Sequence, residues 1–163
     1  MKRIESSVIP QADQVLRLLD VLEAIKNGET SAKEIADYCD LPSSRQGSYY
    51  RLAAESVGLI KRKDGEWLST ELGDAVVDIE DHREKIVLMR PIVLLNPSVR
   101  LLYGALEDSA PSGLTENELA SLLAEKSSLS HETAIRRAQT VARWFSILEV
   151  VDRKEGRLVL KRP

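Results

Sequence analysis

Two parts of this chain repeat the same order of local folding signals, and that repetition constrains the fold more than any other feature. Ser31 is followed three residues later by Glu34, and Thr115 by Glu118. In this spacing each side chain can bond the free backbone N–H of the other residue at the start of a helix. Further positions match between the two parts: Glu34-Ile35-Ala36 with Glu118-Leu119-Ala120, and Leu59-Ile60 with Val150-Val151.

The first part predicts three helices, a β-hairpin and a further helix. Asn27-Gly28 ends the first helix, Ser43 or Ser44 begins the third, and Gly58 supplies its left-handed stop. Asp64-Gly65 suits a tight hairpin turn, because both central positions of such a turn need a positive φ. Together with apolar stripes at helical spacing, these signals predict helices at 11–25, 31–38, 44–57 and 71–77, and a hairpin at 60–69.

The second part predicts the same order, with helices at 97–106, 117–125 and 131–148 and a hairpin at 150–161. Three helices followed by a hairpin, found twice, predict a mainly α protein with small β-hairpin wings, namely a tandem winged helix-turn-helix. The predicted domains are 1–79 and 97–163, joined by an apolar connecting helix at 80–96.

The connecting segment is too rich in Ile, Val and Leu to remain a solvated linker. We expect it to pack between the two domains and fix their relative orientation, or to bury against a second copy of the chain in a homodimer. Its apolar run is far shorter than the roughly 20 residues that a membrane span needs.

The charge of the chain argues against a polyanion partner unless cations are concentrated locally. The formal net charge is −3, whereas nucleic-acid-binding domains are commonly basic. The one cysteine, Cys39, excludes an intramolecular disulfide and is expected to be a small buried hydrophobe in a reducing compartment. The first seven residues lack the apolar run of a secretion signal, so we expect a cytoplasmic protein with no membrane partner.

The predicted helix at 131–148 has the pattern of a DNA recognition helix. Its apolar residues fall on one side, and the other side carries three arginines, hydroxyls and an amide, with no acid between Glu132 and Glu149. Arg can donate two hydrogen bonds to guanine, Gln can pair with adenine, and Thr can reach phosphates or a thymine methyl. The alternative is an ordinary solvated face. The predicted DNA contacts are Thr133, Arg136, Arg137, Gln139, Thr140 and Arg143.

Both predicted wings add positive charge. Wings commonly lie along phosphates, where Lys and Arg displace condensed counterions. The same charges would also protect exposed edge strands against aggregation, so the wings decide little by themselves. The candidate phosphate contacts are Lys61, Arg62 and Lys63 in the first wing, and Arg153, Lys154 and Arg157 in the second, with Lys161-Arg162 at the tail.

The third helix of the first part supplies a second set of candidate DNA contacts. Its start, where the helix dipole is positive, and its outer side carry Ser43, Ser44, Arg45, Gln46, Ser48 and Arg51. Periodicity places Gly47 on the outer side, and close approach to a surface such as a DNA backbone would explain why a glycine that costs a helix about 1 kcal/mol is tolerated there. Periodicity places Tyr49, Leu52, Ala53 and Ser56 inward. Arg51 and Glu55 are alternatively spaced to pair with each other.

The sequence contains no recognisable catalytic or cofactor motif. His82 and His131, the two histidines, have no metal-ligand spacing with Cys39. A glycine-rich phosphate loop, a Gly-x-Ser-x-Gly elbow and a Glu-x-Lys nuclease pair are all absent. We therefore predict no catalytic residue, no metal site and no cofactor in this chain.

The stretch 129–144 reads Leu-Ser-His-Glu-Thr-Ala-Ile-Arg-Arg-Ala-Gln-Thr-Val-Ala-Arg-Trp. It resembles the helix of winged-helix regions that accompany type II restriction endonucleases and related phage-defence proteins, which carry Ser, Thr, paired Arg, Thr-Val and Trp in similar order. Leu72-Gly73 and the apolar bridge are also similar, so the resemblance covers 15–148, with its specific part at 130–144. It implies a module that reads the sequence or modification of double-stranded DNA, while a separate nuclease domain or subunit cuts.

Two other roles remain open. A weaker similarity, to the winged-helix tail of some ABC transporter ATPases, implies a regulatory or protein-binding role. A protein-interaction adaptor is the competing hypothesis, because the chain is acidic and its carboxylates cluster around the fourth helix: Glu71, Asp74, Asp78, Glu80 and Asp81. If the chain binds DNA, it is either part of a longer restriction enzyme or a free-standing transcriptional regulator.

Overall fold

The computed structural model describes residues 3–161, and over them the chain is mainly helical with two short antiparallel β-hairpins, as predicted. Arg162, one of the predicted tail contacts, lies outside the described residues. The helices are α1 (Arg17–Lys26), α2 (Ala32–Tyr38), α3 (Ser44–Ser56), α4 (Glu71–Val76), α5 (His82–Val93), α6 (Pro97–Ser109), α7 (Glu116–Glu125) and α8 (His131–Ile147). The strands are β1 (Ile60–Lys63), β2 (Glu66–Ser69), β3 (Val151–Lys154) and β4 (Arg157–Leu160).

Both predicted capping boxes form. The Ser31 hydroxyl accepts a hydrogen bond from the Glu34 backbone N–H, and the Glu34 carboxylate accepts one from the Ser31 N–H. Thr115 and Glu118 repeat this pair of bonds at the start of α7. Each box satisfies two backbone donors that a helix end would leave without a partner, so these starts are set locally.

The two hairpins share one turn geometry. Asp64 and Gly65 have φ values of 52° and 79°, and Glu155 and Gly156 have values of 51° and 76°. Two successive positive φ values define the tight turn whose twist matches that of antiparallel strands. The Asp-Gly signal was therefore interpreted correctly, and the second hairpin reaches the same turn with glutamate in place of aspartate.

The predicted first helix is wrong at its start. It was expected from residue 11, but α1 begins at Arg17. The preceding residues use their backbone groups in tertiary contacts: the Gln14 N–H donates to the Tyr50 hydroxyl, at 3.0 Å, and the Ala12 carbonyl accepts from the Trp144 indole. The apolar stripe itself was predicted correctly, since its members are all buried: Val15, Leu18, Leu19, Leu22 and Ile25.

One contiguous cluster of buried apolar side chains runs through both parts of the chain, from Ala12 to Leu158. Helix α5 contributes to it, and Arg90 on this helix donates to the Leu148 carbonyl at 2.8 Å. Asn96, which is completely buried, caps α6 and donates to the Val8 carbonyl and to the Ser56 hydroxyl. The connecting segment therefore packs within the molecule, although Val87 on α5 and Leu95, two residues after its end, keep about half of their surface exposed, at 48% and 52%.

Between residues 3 and 161, no single helix is long and apolar enough to cross a membrane. Helices α5 and α6 satisfy the length and composition required only when they are joined across a bend of 93°.

The buried side of α3 is rotated from the one predicted: Ala53 is buried as expected, but Gly47 and Tyr50 are buried as well. Gly47 is buried against α2 and does not face outward, because a Cβ at this position would lie 2.0 Å from the Ala32 carbonyl oxygen. Tyr50 is buried, whereas Tyr49, expected to be inward, is half-buried. The glycine is thus required by helix–helix contact within the protein, and the explanation by approach to DNA was wrong.

We predict that Gly47→Ala destabilises the protein by about 1–3 kcal/mol, since the cost of overpacking exceeds the helix propensity gained with alanine. Gly104→Ala in α6 is the matched control, because a Cβ there meets nothing within 4 Å. The control should be neutral or more stable by up to about 1 kcal/mol. Urea unfolding followed by circular dichroism measures both variants, and equal stability of the two would contradict the packing described here.

Candidate nucleic-acid interface

The polar side of α8 is partly covered by the N-terminal segment, which we define as residues 3–16. The buried Trp144 indole donates to the Ala12 carbonyl at 2.6 Å. Thr140 is 7% exposed and donates its hydroxyl to Asp13 at 2.9 Å. Arg137 donates to the carbonyls of Ile9 and Ser6, at 2.9 and 3.2 Å. The prediction that Thr140 is available to DNA is therefore wrong, and Arg137 is half-buried, since this side of α8 has a partner inside the protein.

Three of the predicted contacts on α8 remain exposed: Arg136, Gln139 and Arg143. Arg136 contacts the Thr133 hydroxyl at 3.5 Å and forms no ion pair with any residue between 3 and 161. Arg143 is paired with Asp13 at 3.1 Å, with 54% of its side chain exposed. Arg136 is therefore the arginine on this helix most available to an external anion.

The exposed side of α8 adjoins α3 across an open depression of about 290 Å³. Tyr49 of α3 lies on its wall opposite the arginines, and Arg45 donates to the Tyr49 hydroxyl while its guanidinium lies 5.5 Å from the ring centroid. A second depression of about 400 Å³ shares Gln139 and Arg143 and reaches Arg153 on β3. We call the concave region formed by both depressions the junction surface. Its main lining residues are Asp13, Tyr49, Glu116, Arg136, Arg137, Gln139, Arg143 and Arg153, and Arg45 adjoins it through Tyr49.

Positive charge dominates the junction surface despite the acidic chain. Four arginines line it (Arg136, Arg137, Arg143 and Arg153) and Arg45 adds a fifth through Tyr49, against the two carboxylates of Asp13 and Glu116. At its edge, burial lowers the pKa of Arg137, and the neighbouring Arg136 cation lowers it further. Arginine stays charged even so, because its ordinary pKa is far above neutrality.

The second wing is more neutralised than its sequence suggests. Arg153 pairs with Glu116 at 2.9 Å, and Arg157 pairs with Glu118 at 3.3 Å while donating to the Gly113 carbonyl at 3.0 Å. The tail cation Lys161 lies 3.8 Å from Asp152. Carboxylates of α7 therefore hold two of the predicted contacts, a proximity that local sequence patterns cannot show.

Lys154 of the second wing and all three predicted cations of the first wing are exposed. Among the residues that the structure describes, none of the four forms an ion pair. In the first wing they are Lys61, Arg62 and Lys63, and Arg62 lies opposite Trp67 in the hairpin. These cations are free to meet phosphates.

Arg51 is built into the protein instead of facing solvent. It donates to the Thr30 carbonyl at 2.8 Å, and its guanidinium lies 4.7 Å from the centroid of the Trp67 ring. Burial lowers the pKa of Arg51, and the nearby Arg62 lowers it further. The proposed ion pair with Glu55 does not form. Trp67, which the sequence analysis did not single out, is therefore the residue that joins α3 to the first wing.

The other predicted contacts lie at the start of α3. Ser43 uses its hydroxyl to cap the helix, accepting from the Gln46 N–H at 3.2 Å. Ser44 and Arg45 are exposed, and Gln46 and Ser48 are half-buried. Of this set, only Arg45 adjoins the junction surface, through its contact with Tyr49.

Metal binding and thiol chemistry find no support in the region described. No group of three or more His, Cys, Asp or Glu side chains there could hold a metal ion. Cys39 is buried, as predicted, and burial raises the pKa of its thiol to about 11. The thiolate is the nucleophile and the metal ligand, so this cysteine is inert at neutral pH.

We predict that iodoacetamide modifies Cys39 very slowly at pH 8 in the folded protein, and at the rate of an ordinary thiol once urea unfolds it. The raised pKa keeps the folded thiol protonated until the pH approaches 11. Mass spectrometry of timed samples measures the modification. Rapid labelling of folded protein at pH 8, with unfolding excluded by circular dichroism, would contradict the buried environment.

Fold and surface together define a mainly helical protein with two β-hairpins, whose basic concave surface lies where α3 adjoins α8. The chain belongs to the family described as a domain of unknown function, DUF7226, which matches residues 17–152. No curated protein and no solved structure matches the chain significantly. The matched region includes α8 and most of the junction surface.

Proposed function

We propose that this protein is a tandem winged helix-turn-helix protein that binds double-stranded DNA through the junction surface. The order of three helices and a hairpin occurs twice, as α1–α3 with β1–β2 and as α6–α8 with β3–β4. In helix-turn-helix proteins a helix of this kind enters the major groove. Helices α3 and α8 hold the equivalent places in the two parts of this chain.

One observation carries the proposal: side chains of both third helices line the same arginine-rich depression, with half-buried Tyr49 from α3 and exposed Arg136 and Gln139 from α8. Two helices whose outer sides were simply solvated would have no reason to converge, or to concentrate guanidinium groups in a chain of net charge −3. A duplex presents phosphates and base edges together, and Arg, Gln and Tyr can contact both.

We propose three groups among the predicted contacts, according to their exposure and ion pairs. Arg136 and Gln139 are exposed and suited to base edges. Arg45, Lys154 and the first-wing cations Lys61 to Lys63 are suited to phosphates, where each neutralised charge releases counterions. Arg143, Arg153 and Arg157 already have carboxylate partners and are expected to contribute less.

The resemblance of 130–144 to restriction-associated winged helices suggests a biological setting. In that setting the chain is the specificity module of a restriction or phage-defence protein, and a nuclease domain or subunit acts on the DNA that it holds. A free-standing transcriptional regulator would use the same surface. Both roles require duplex binding, which is therefore the property to measure first.

We predict that Arg136→Ala weakens binding about ten-fold and relaxes base preference, because it removes a contact to a base. Lys154→Ala should weaken binding to all duplexes alike and reduce the slope of log affinity against log salt by about 1. Fluorescence anisotropy with labelled duplexes, from low salt upward, measures both effects. Arg100→Ala is the matched control, since Arg100 is exposed on α6 and lies outside the junction surface.

Two results would argue against the proposal. The wild-type protein could fail to bind a pool of random duplexes, methylated ones included, at low salt. Alternatively, Arg100→Ala could weaken binding as much as Arg136→Ala, which would show that affinity depends on the net charge of the protein and not on the junction surface.

A protein-interaction adaptor is the second candidate, and the acidic surface around α4 favours it. Asp78 and Glu80 line a depression of about 440 Å³ together with Glu23, and because Lys26 and Lys85 line it too, its charged groups leave it acidic by one charge. An adaptor would bind a basic polypeptide there and leave the junction surface idle. A protein complex that survives nuclease digestion in size-exclusion chromatography, and that Glu80→Lys disrupts while Arg136→Ala does not, would favour this role over DNA binding.

A further inference from the structure

Asp13 lines the first depression of the junction surface, and its backbone is held on both sides. The preceding residue, Ala12, is completely buried and accepts a hydrogen bond from the Trp144 indole at 2.6 Å. The following residue, Gln14, donates its backbone N–H to the buried Tyr50 hydroxyl at 3.0 Å. The backbone of Asp13 therefore cannot move away from the surface unless these two hydrogen bonds break.

The carboxylate keeps hydrogen-bonding capacity beyond its two internal partners. One oxygen accepts from the Thr140 hydroxyl at 2.9 Å, and the other accepts from Arg143 at 3.1 Å. A carboxylate offers about four lone-pair sites, so about two stay free. The Asp13 side chain is 46% exposed and lines the same depression as Arg136 and Gln139.

A fixed negative charge in a basic surface selects what can face it. Phosphates are repelled by Asp13 and attracted to the arginines around it, so the backbone of bound DNA should pass to either side. In the major groove only the amino groups of cytosine and adenine donate hydrogen bonds, whereas thymine and guanine present oxygen and nitrogen acceptors. An acceptor placed against a carboxylate would leave both groups without a donor.

We propose that Asp13 is a specificity-determining residue that accepts a hydrogen bond from the exocyclic amino group of a cytosine or adenine. This inference rests on the proposed function, because it needs duplex DNA at the junction surface. It adds which base groups that surface prefers. The ion pair with Arg143 then has a second role: it orients the carboxylate, while Thr140 fixes the other oxygen. A contribution to folding stability does not by itself explain the Asp13–Arg143 ion pair, because exposed ion pairs contribute little free energy to folding.

The test uses the full chain, and its probe is the duplex that the protein prefers in a pool with a randomised centre. In that duplex each cytosine is replaced in turn by 2-pyrimidinone and each adenine by purine, changes that remove only the exocyclic amino group. We expect one replacement at which the wild-type protein binds about ten-fold more weakly, the value of one hydrogen bond to a charged acceptor. Asp13→Ala should bind the parent and the replaced duplex equally.

Asp13→Asn separates the charge from the hydrogen bond and protects the test against a misfolded alanine variant. Its one amide oxygen can keep one of the two internal hydrogen bonds and still offer a lone pair to the base, but the NH2 group that replaces the other oxygen cannot accept, and the negative charge is lost. We expect tighter binding to all duplexes, because repulsion of phosphates is removed, and a preference that shrinks to a few-fold, since neutral acceptors bind about half as strongly as charged ones.

Asp74→Asn and Asp74→Ala are the matched controls. Asp74 has a similarly exposed carboxylate, at 53%, and it too accepts from one cation and one hydroxyl, Lys26 at 2.8 Å and Ser69 at 2.6 Å. It lies outside the junction surface, so both variants should keep the wild-type preference.

The outcomes distinguish this inference from the proposed function. Wild-type protein that binds duplexes but tolerates every amino-group removal, or an Asp13→Asn variant with unchanged affinity and preference, overturns the role of Asp13 and leaves DNA binding standing. Absence of any duplex binding by the wild-type protein overturns both.

Discussion

The indole of Trp144 is completely buried and donates its one N–H to the carbonyl of Ala12. A buried indole N–H without an acceptor would cost about 1–3 kcal/mol, so the N-terminal segment must lie across α8 for this tryptophan to be accommodated. Once Ala12 is held there, the Asp13 carboxylate reaches Arg143 on α8, and the Gln14 backbone N–H reaches the hydroxyl of Tyr50 on α3. The shape and charge of the junction surface therefore depend on this one hydrogen bond and on the segment that it holds.

Sequence patterns predicted those parts of the fold whose causes are local. The capping box at Ser31 and the Asp64-Gly65 turn act within a few residues, and both formed as predicted. The errors lie where distant segments decide the outcome. Gly47 is required by the carbonyl of Ala32 in another helix, and Thr140 is buried by a segment more than a hundred residues away. A helical wheel does not show which other segments pack on the polar side of a helix, so it assigned Gly47 and Thr140 to solvent.

The same division between local and distant causes applies to the candidate site. Periodicity correctly left Arg136, Gln139 and Arg143 on the exposed side of α8. It could not show that Asp13 pairs with one of these arginines, nor that Tyr49 of α3 faces them, because both facts depend on how two parts of the chain pack together. A lone acid ahead of the first helix gives no signal in the sequence, and its importance becomes visible only in three dimensions.

The shared core has a geometric consequence. Because one apolar cluster runs through both parts, and because buried Asn96 joins the 3-10 helix at Ser6–Val8 to α6 and α3, the third helices are held at a constant separation. If the junction surface binds duplex DNA as proposed, the two third helices would contact it at a fixed spacing. Inserting one base pair between two contacted positions displaces the second by about 3.4 Å and rotates it by about 35° around the duplex axis. Such a molecule would tolerate base changes between its contacts far better than changes in their spacing.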